Sequence, residues 1–222
     1  MIIGEFVGAP GVGKSVICEK VVKHLTEAGY KVYKEPSEWK HLERVRLMLQ
    51  RWSLYTGKNQ RKLLKEGRKL IPNLESANRD KWFRITVLIS KYIDMAERQK
   101  ADYIIMDEGC IQAITSIDHG AEISDEVLKW ARQVLSTIYA DRNVRIFNCE
   151  LSMEENLRRL KGRGRGGDRF IAEDDESTIK NISVKRNNLD KVLSLTDCRK
   201  CTLNLDNGSD AYQTIIDELT AD

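Results

Sequence analysis

The chain has 222 residues, of which 41% are hydrophobic and 32% charged, and its formal net charge is +3. This length supports a single domain with a sizeable core, and so small a net charge does not by itself indicate nucleic-acid binding. No apolar run approaches the ~20 residues that a membrane span needs, and the first residues match a buried strand better than a signal peptide. The five cysteines are scattered, as expected for free thiols in a reducing cytosol. We therefore expect a cytoplasmic protein with no membrane partner.

The N-terminal region predicts a strand, a glycine-rich loop and a helix. Residues 2–7 have the pattern of a buried parallel strand, and apolar residues recur at helical spacing between Lys14 and Gly29. The loop between them has the P-loop form, Gly, four residues, then Gly-Lys-Ser. It consists of Gly8, Ala9, Pro10, Gly11, Val12, Gly13, Lys14 and Ser15. Its backbone N–H groups can surround a phosphate, the Lys14 ammonium can reach the outer phosphates, and the Ser15 hydroxyl suits Mg²⁺. The sequence therefore predicts a site for ATP or GTP.

A short second strand and a basic helical region follow. Residues 31–34 predict the strand, which ends at Glu35-Pro36 because proline cannot continue the ladder. Residues 39–70 have a helical pattern with a break near Thr56-Gly57, and residues 40–69 carry ten Lys or Arg against two acids. A solvated helical face is the ordinary explanation of such a run. The alternative is a basic wall that faces an anionic acceptor or a nucleic acid.

A carboxylate pair follows the third predicted strand. A long helix over residues 74–100, with Arg79 and Arg84 in its first half, leads into the apolar strand 103–106. The strand ends in Asp107-Glu108-Gly109, which is the Walker B form. In that form a carboxylate at the carboxyl end of a strand, beside the P-loop, holds Mg²⁺ directly or through water. The alternative role for Asp107 is the N-cap of the next helix.

The rest of the chain predicts two more strands, five helices and a cationic loop. Helical patterns cover residues 112–118, 125–139, 174–195 and 211–219, strands cover 144–147 and 202–205, and a capping box of Ser152 with Glu155 starts another helix. That helix leads into residues 158–169, where six positive charges and four glycines occur in twelve residues. Such a segment is typical of a lid that closes over phosphates, and the alternative is a disordered basic loop that touches nucleic acid. Cys198 and Cys201 have the spacing of a metal or redox pair, but no second pair accompanies them.

The alternation of strands and helices predicts an α/β fold of the P-loop NTPase type. It would have three layers, with a five-stranded parallel sheet, helices on both faces and an Arg-rich lid. We expect one domain over residues 1–222, with a core of residues 1–36, 101–150 and 198–222, an acceptor-side helical region at 37–100 and the lid at 158–174. Ligands bind at the carboxyl ends of the strands in such sheets. The P-loop, Glu35 and Asp107-Glu108 should therefore converge below the lid.

The sequence resembles the thymidylate kinase and deoxynucleoside kinase branch of the P-loop kinases. The P-loop carries part of the resemblance, and three short motifs carry the rest: Glu35-Pro36 with Trp39 just after it, Ala77-Asn78-Arg79, and Arg163-Gly164-Arg165-Gly166-Gly167-Asp168-Arg169. The resemblance implies that Glu35 is a base on the acceptor hydroxyl, that Arg79 contacts the acceptor nucleotide, and that the last motif is the lid. It also implies that residues near Asp206-Asn207 contact the adenine.

Phosphoryl transfer needs a phosphate cradle, a metal, a positioned acceptor and cations that neutralise the transferred charge. The candidate catalytic residues are Lys14, Glu35, Asp107, Glu108, Arg163, Arg165 and Arg169. The nucleotide would be held by residues 8–15 and Arg159, the acceptor by Glu35, Trp39, Arg79 and Arg84, and Mg²⁺ by Ser15 and Asp107. Glu35 and Glu108 both remain candidates for the base.

The predicted function is transfer of the γ-phosphoryl group of Mg-ATP to a small acceptor, such as a nucleoside, a nucleotide or a related metabolite. The families that the chain resembles place Asp-Arg or Glu-Arg after the third strand, whereas this chain has Asp107-Glu108-Gly109. This departure favours a divergent member with another acceptor. Two alternatives remain, a Walker-type ATPase in which Glu108 orients a water, and a kinase that acts on a nucleic acid or a sugar. The sequence leaves both a monomer and a homodimer open.

Overall fold

The computed structural model describes residues 1–34, 58–70, 85, 88–117, 121–162 and 174–221. This part of the chain contains five strands: β1 (Ile2–Gly8), β2 (Val32–Lys34), β3 (Tyr103–Met106), β4 (Asn143–Glu150) and β5 (Arg199–Asn204). They form one sheet in the order β2-β3-β1-β4-β5, and every neighbouring pair is parallel. The five predicted strands and the parallel sheet are therefore confirmed.

Helices connect the strands. They are α1 (Lys14–Glu27), α2 (Lys58–Leu70), α3 (Ile89–Arg98), α4 (Cys110–Ile114), α5 (Asp125–Ile138), α6 (Met153–Gly162), α7 (Asp175–Leu193) and α8 (Gly208–Thr220). The side chains of Ser124 and Asp174 accept hydrogen bonds from backbone N–H groups and so fix where α5 and α7 begin. Within the described residues, no helix is both long and apolar enough to cross a membrane.

The sheet separates two hydrophobic clusters, because successive side chains of a strand point to opposite faces. Ile3 and Val7 of β1 belong to the cluster that includes α3, α4 and α5. Phe6 of the same strand belongs to the other cluster, with α1 and α8. Helix α7 contributes Leu189 to the first cluster and Ile182 to the second. The predicted arrangement, a sheet between two helical layers, is confirmed.

Several predicted boundaries are wrong, and β5, for example, begins at Arg199 instead of residue 202. The helix expected over residues 112–118 is α4, which ends at Ile114. The hydroxyls of Thr115 and Ser116 both donate to the Gln112 carbonyl at 2.9 Å, and this acceptor is then lost to the helical ladder. Strand β4 is longer than the expected residues 144–147, since its register with β1 continues from Ile2↔Asn143 to Gly8↔Cys149.

Candidate functional site

The glycine-rich loop leaves the carboxyl end of β1 and turns sharply into α1. Gly8 has a φ of 151°, and a β-carbon on it would lie 2.5 Å from the backbone oxygen of Cys149 on β4. Gly11 and Gly13 also have positive φ, at 88° and 101°. Only glycine adopts this run of conformations at low cost. The loop therefore has the folded-back backbone that can direct N–H groups toward a phosphate.

Lys14 is the first residue of α1, and its side chain folds back over the loop. Its Nζ donates to the carbonyl oxygens of Gly8, at 2.9 Å, and Ala9, at 3.2 Å. Burial lowers the pKa of Lys14, while Cys149, Glu108 and Asp107 oppose that shift electrostatically, in that order of size. The ammonium therefore lies in a partly desolvated place where the charges of the β3 carboxylates reach it. The P-loop lysine and the carboxylates that follow β3, which the sequence predicts to share one site, therefore lie within electrostatic reach of each other.

The carboxylates Asp107 and Glu108 follow β3 directly. Because β3 pairs in parallel with β1, the carboxyl ends of the two strands meet at one edge of the sheet. Asp107 is half-buried and Glu108 is exposed, and Ser15 is exposed in the first turn of α1. A hydroxyl and a carboxylate are oxygen donors of the kind that Mg²⁺ accepts together with nucleotide phosphates. In the described part of the chain no group of three or more His, Cys, Asp or Glu is placed to hold a metal ion.

Helix α6 packs over the loop from the β4 side. The Nδ2 of the buried Asn156 donates to the Pro10 carbonyl at 2.7 Å, and the Nη1 of Arg159 donates to the Val12 carbonyl at 3.3 Å. The structure thus places Arg159, a predicted nucleotide-binding residue, against the loop. Asn156 was not predicted, because nothing in the local pattern distinguishes an asparagine that packs on a loop 146 positions away.

Glu155 holds Arg159 in that position. Its carboxylate accepts from the Nε of Arg159 at 2.6 Å and from Arg158, and hydrogen bonds from Arg158 and then Arg159 lower the pKa of Glu155 to about 2.

The capping box predicted from Ser152 and Glu155 is only half formed. Ser152 Oγ accepts from the Glu155 backbone N–H at 3.4 Å, but the Ser152 N–H donates to Asp206 Oδ2 at 2.8 Å.

Asp206 was expected near the adenine, but in the structure its carboxylate accepts hydrogen bonds from Ser152. Oδ2 of Asp206 accepts from the Ser152 backbone N–H, and Oδ1 accepts from the Ser152 hydroxyl at 3.2 Å. The carboxylate therefore ties the loop after β5 to the start of α6. The adenine contact stays a prediction.

The described part of the basic stretch is helix α2. Leu63 is buried, and its carbonyl accepts from Trp130 Nε1 of α5 at 3.2 Å. The basic residues on the other side are exposed, namely Arg61, Lys62, Lys65 and Lys69. This arrangement fits the ordinary explanation, a solvated helical face, for this part of the stretch.

The two cysteines with metal or redox spacing do not lie together. Cys198 packs against one hydrophobic cluster, whereas Cys201 packs against the other, on the opposite face of the sheet. Both are free thiols. The C-x-x-C spacing thus has no paired role in this structure.

Seven predicted site residues lie outside the described residues. They are Glu35, Trp39, Arg79, Arg84, Arg163, Arg165 and Arg169. The structure therefore describes the donor half of the predicted site, and the acceptor half and the lid remain predictions.

No protein-family model matches the chain, and no curated protein matches it. Among solved structures, three of deoxyadenosine kinase from M. mycoides match over 100% of both chains. The structure with bound dATP has a TM-score of 0.53 at 16% identity, and the one with bound dCTP has 0.55 at 15%. The structure with the products dCMP and a flexible dCDP has 0.54 at 16%. At this identity the likeness shows the fold, so this chain has a P-loop kinase fold of the kind that these deoxyadenosine kinases have.

Proposed function

We propose that the protein is an ATP-dependent kinase that transfers the γ-phosphoryl group to a nucleoside, a nucleotide or a related small metabolite. The observation that carries the proposal is the position of Lys14, folded over a P-loop and within electrostatic reach of Asp107 and Glu108. The kinase fold shared with the deoxyadenosine kinases supports it. The five free thiols suit a cytosolic setting, where nucleotides are available.

The described residues supply the donor half of the reaction. The loop amides and Lys14 would hold the β- and γ-phosphates, and Arg159 would add a second cation above Val12. Ser15 and Asp107 would hold Mg²⁺, which in such sites neutralises phosphate charge. All of these groups bind and orient the donor, and none of them needs to form a covalent bond with it.

The acceptor half of the proposal depends on the resemblance. Glu35, or else Glu108, would orient or deprotonate an acceptor hydroxyl, with Trp39 beside it. An acceptor phosphate would need no base and would be held by Arg79 and Arg84. The lid residues Arg163, Arg165 and Arg169 would stabilise the transferring charge, and each could contribute about 10³ in rate, by analogy with arginine fingers. A closed lid also keeps water away from the phosphoryl group.

An ATPase is the second candidate, and the position of Glu108 favours it. This carboxylate is exposed and acts on Lys14, so it could orient a water instead of an acceptor. The discriminating measurement is ADP formation across a panel of nucleosides, nucleotides and sugars. Turnover that requires one acceptor class supports the kinase, and turnover independent of every acceptor supports the ATPase. Salt-sensitive retention on DNA or RNA, with turnover that requires the nucleic acid, would instead support a nucleic-acid kinase.

A further inference from the structure

Strand β1 carries a carboxylate in the middle of the core. Glu5 is fully buried, between Ile3 and Val7 on the sheet face that packs against α4 and α5. A buried carboxylate is costly unless hydrogen bonds compensate it. Its Oε1 accepts from the backbone N–H of Gln112 at 3.0 Å, and its Oε2 accepts from the hydroxyl of Tyr139.

Tyr139 holds this carboxylate from the far end of α5. Its hydroxyl donates to Glu5 and accepts from the backbone N–H of Cys110 at 3.4 Å. Burial, then the neighbouring Cys110 and Glu5, raise the pKa of Tyr139 well above its usual value, so the hydroxyl stays a donor at any ordinary pH. Glu5 is thereby fixed to the first turn of α4, which follows the Asp107-Glu108 turn.

Gln112 extends this contact to the P-loop. Its side-chain Oε1 accepts from the backbone N–H of Gly8 at 3.0 Å, and the Gln112 side chain is buried. Gly8 in turn presents its carbonyl oxygen to Lys14 Nζ at 2.9 Å. A continuous path of hydrogen bonds therefore runs from Glu5 through Gln112 and Gly8 to Lys14.

We propose that Gln112 is a positioning residue of the nucleotide site, which fixes the first peptide of the P-loop from an anchor on Glu5. The Gln112 side chain is buried against Gly8 and acts through that residue. It holds Gly8, and Gly8 sets where Lys14 rests. The path also couples the turn that carries Asp107 to the loop, so that both parts of the donor site keep one relative position. This inference rests on the proposed function only in that the loop binds a nucleotide.

The first test compares Gln112→Met with Trp130→Phe. The methionine keeps the length of the side chain and removes the acceptor for Gly8. Trp130→Phe also removes one buried hydrogen bond, the one that Trp130 Nε1 donates to the Leu63 carbonyl at the distant α2–α5 contact. Both variants should lose similar thermal stability. We expect ATP affinity, measured by calorimetry without an acceptor, to fall about tenfold only in Gln112→Met, with KM for ATP changed more than kcat.

The second test uses the unaltered protein and therefore does not depend on whether a variant folds. The Gly8 amide should be protected from hydrogen exchange in the absence of nucleotide, because Gln112 accepts from it. An unprotected Gly8 amide, or ATP affinity in Gln112→Met equal to that in Trp130→Phe, would overturn the inference. Intact ATP binding with no acceptor-dependent turnover would overturn the kinase proposal and leave the inference standing.

Discussion

Gly109 lies so close to Glu5 that a β-carbon on it would be 2.5 Å from Glu5 Cδ. The three atoms nearest to that β-carbon all belong to Glu5, whose carboxylate is held by Tyr139 and Gln112 and cannot swing aside freely. The buried Glu5 therefore excludes a side chain at position 109. This gives a physical reason why the turn Asp107-Glu108-Gly109 ends in a glycine.

Gly109→Ala should therefore destabilise the fold by about 1–3 kcal/mol through overpacking. In a Glu5→Ala background the same change should cost much less, because the clashing atoms are gone. The measurement is urea unfolding of the two single variants and the double variant. Gly162→Ala is the matched control, since nothing lies within 4 Å of its new β-carbon. Equal costs of Gly109→Ala in both backgrounds would refute the explanation.

Lys14→Met should abolish most turnover while leaving the fold intact. The ammonium is the part of the Lys14 side chain that we expect to act on the phosphates, and removal of one preorganised donor costs about 10²–10³ in kcat. Lys20→Met, at an exposed position on the same helix, is the control and should be neutral. Steady-state ADP formation with circular dichroism as the folding check decides the question. Near-normal turnover in Lys14→Met would remove the basis of the proposed donor site.

Arg159→Ala should raise KM for ATP about tenfold, the usual scale for one charged hydrogen-bonding group. Arg158→Ala provides a close comparison. Both arginines bind Glu155, but Arg158 points to solvent with its side chain 73% exposed, whereas Arg159 reaches the Val12 carbonyl. We expect less than about a twofold change for Arg158→Ala, since exposed ion pairs contribute little. If both variants behave alike, Arg159 acts only as a surface partner of Glu155.

Thiol labelling of the native protein should distinguish two classes of cysteine. Cys18, Cys110 and Cys149 are buried, and Cys198 and Cys201 are partly exposed. Burial raises the pKa of Cys149 to about 12, so it should stay an unreactive thiol at pH 8. Mass spectrometry after brief alkylation should find label at Cys198 and Cys201 only, and at all five sites after denaturation. Rapid native labelling of Cys149 would contradict the packing around the P-loop.

Local patterns were sufficient to predict the strands and the loop, because each depends on neighbours in sequence. The apolar runs gave the parallel strands, and the spacing from Gly8 to Ser15 gave the loop. The contacts that hold the loop in place are different in kind. Gln112 reaches Gly8 across 104 positions, and Tyr139 reaches Glu5 across 134. No periodicity encodes such pairs, so Glu5 was simply a charged residue within a predicted strand.

The ends of α4 and β4 were predicted wrongly for a related reason. The hydroxyls of Thr115 and Ser116 end α4 by competing for the Gln112 carbonyl, although the apolar pattern continues to Ile117. Strand pairing with β1 extends β4 beyond its most apolar stretch. In both places a specific hydrogen-bond partner decided the outcome, and residue type alone did not reveal it.

ATP affinity should depend on pH through Lys14. Burial lowers the pKa of this lysine from its ordinary value of 10.5, and bound phosphates should raise it again because they favour the charged form. Affinity should therefore be constant at neutral pH and should decline as pH rises through the lowered pKa, before an ordinary lysine would titrate. The stability of the nucleotide-free protein should change with pH in the opposite direction to the ATP affinity. The buried charge costs stability below that pKa, and the cost disappears as pH rises toward 10.5.

Calorimetric titration of ATP between pH 7 and pH 10, in buffers with different ionisation enthalpies, measures both parts of this prediction. Proton uptake on binding should appear in the alkaline part of the range, since nucleotide binding reprotonates Lys14 there. Lys14→Met should bind weakly and show no such uptake, whereas Lys20→Met should behave like the unaltered protein because Lys20 is exposed. Affinity without any decline up to pH 10 in folded protein would mean that the charge of Lys14 does not act on the phosphates.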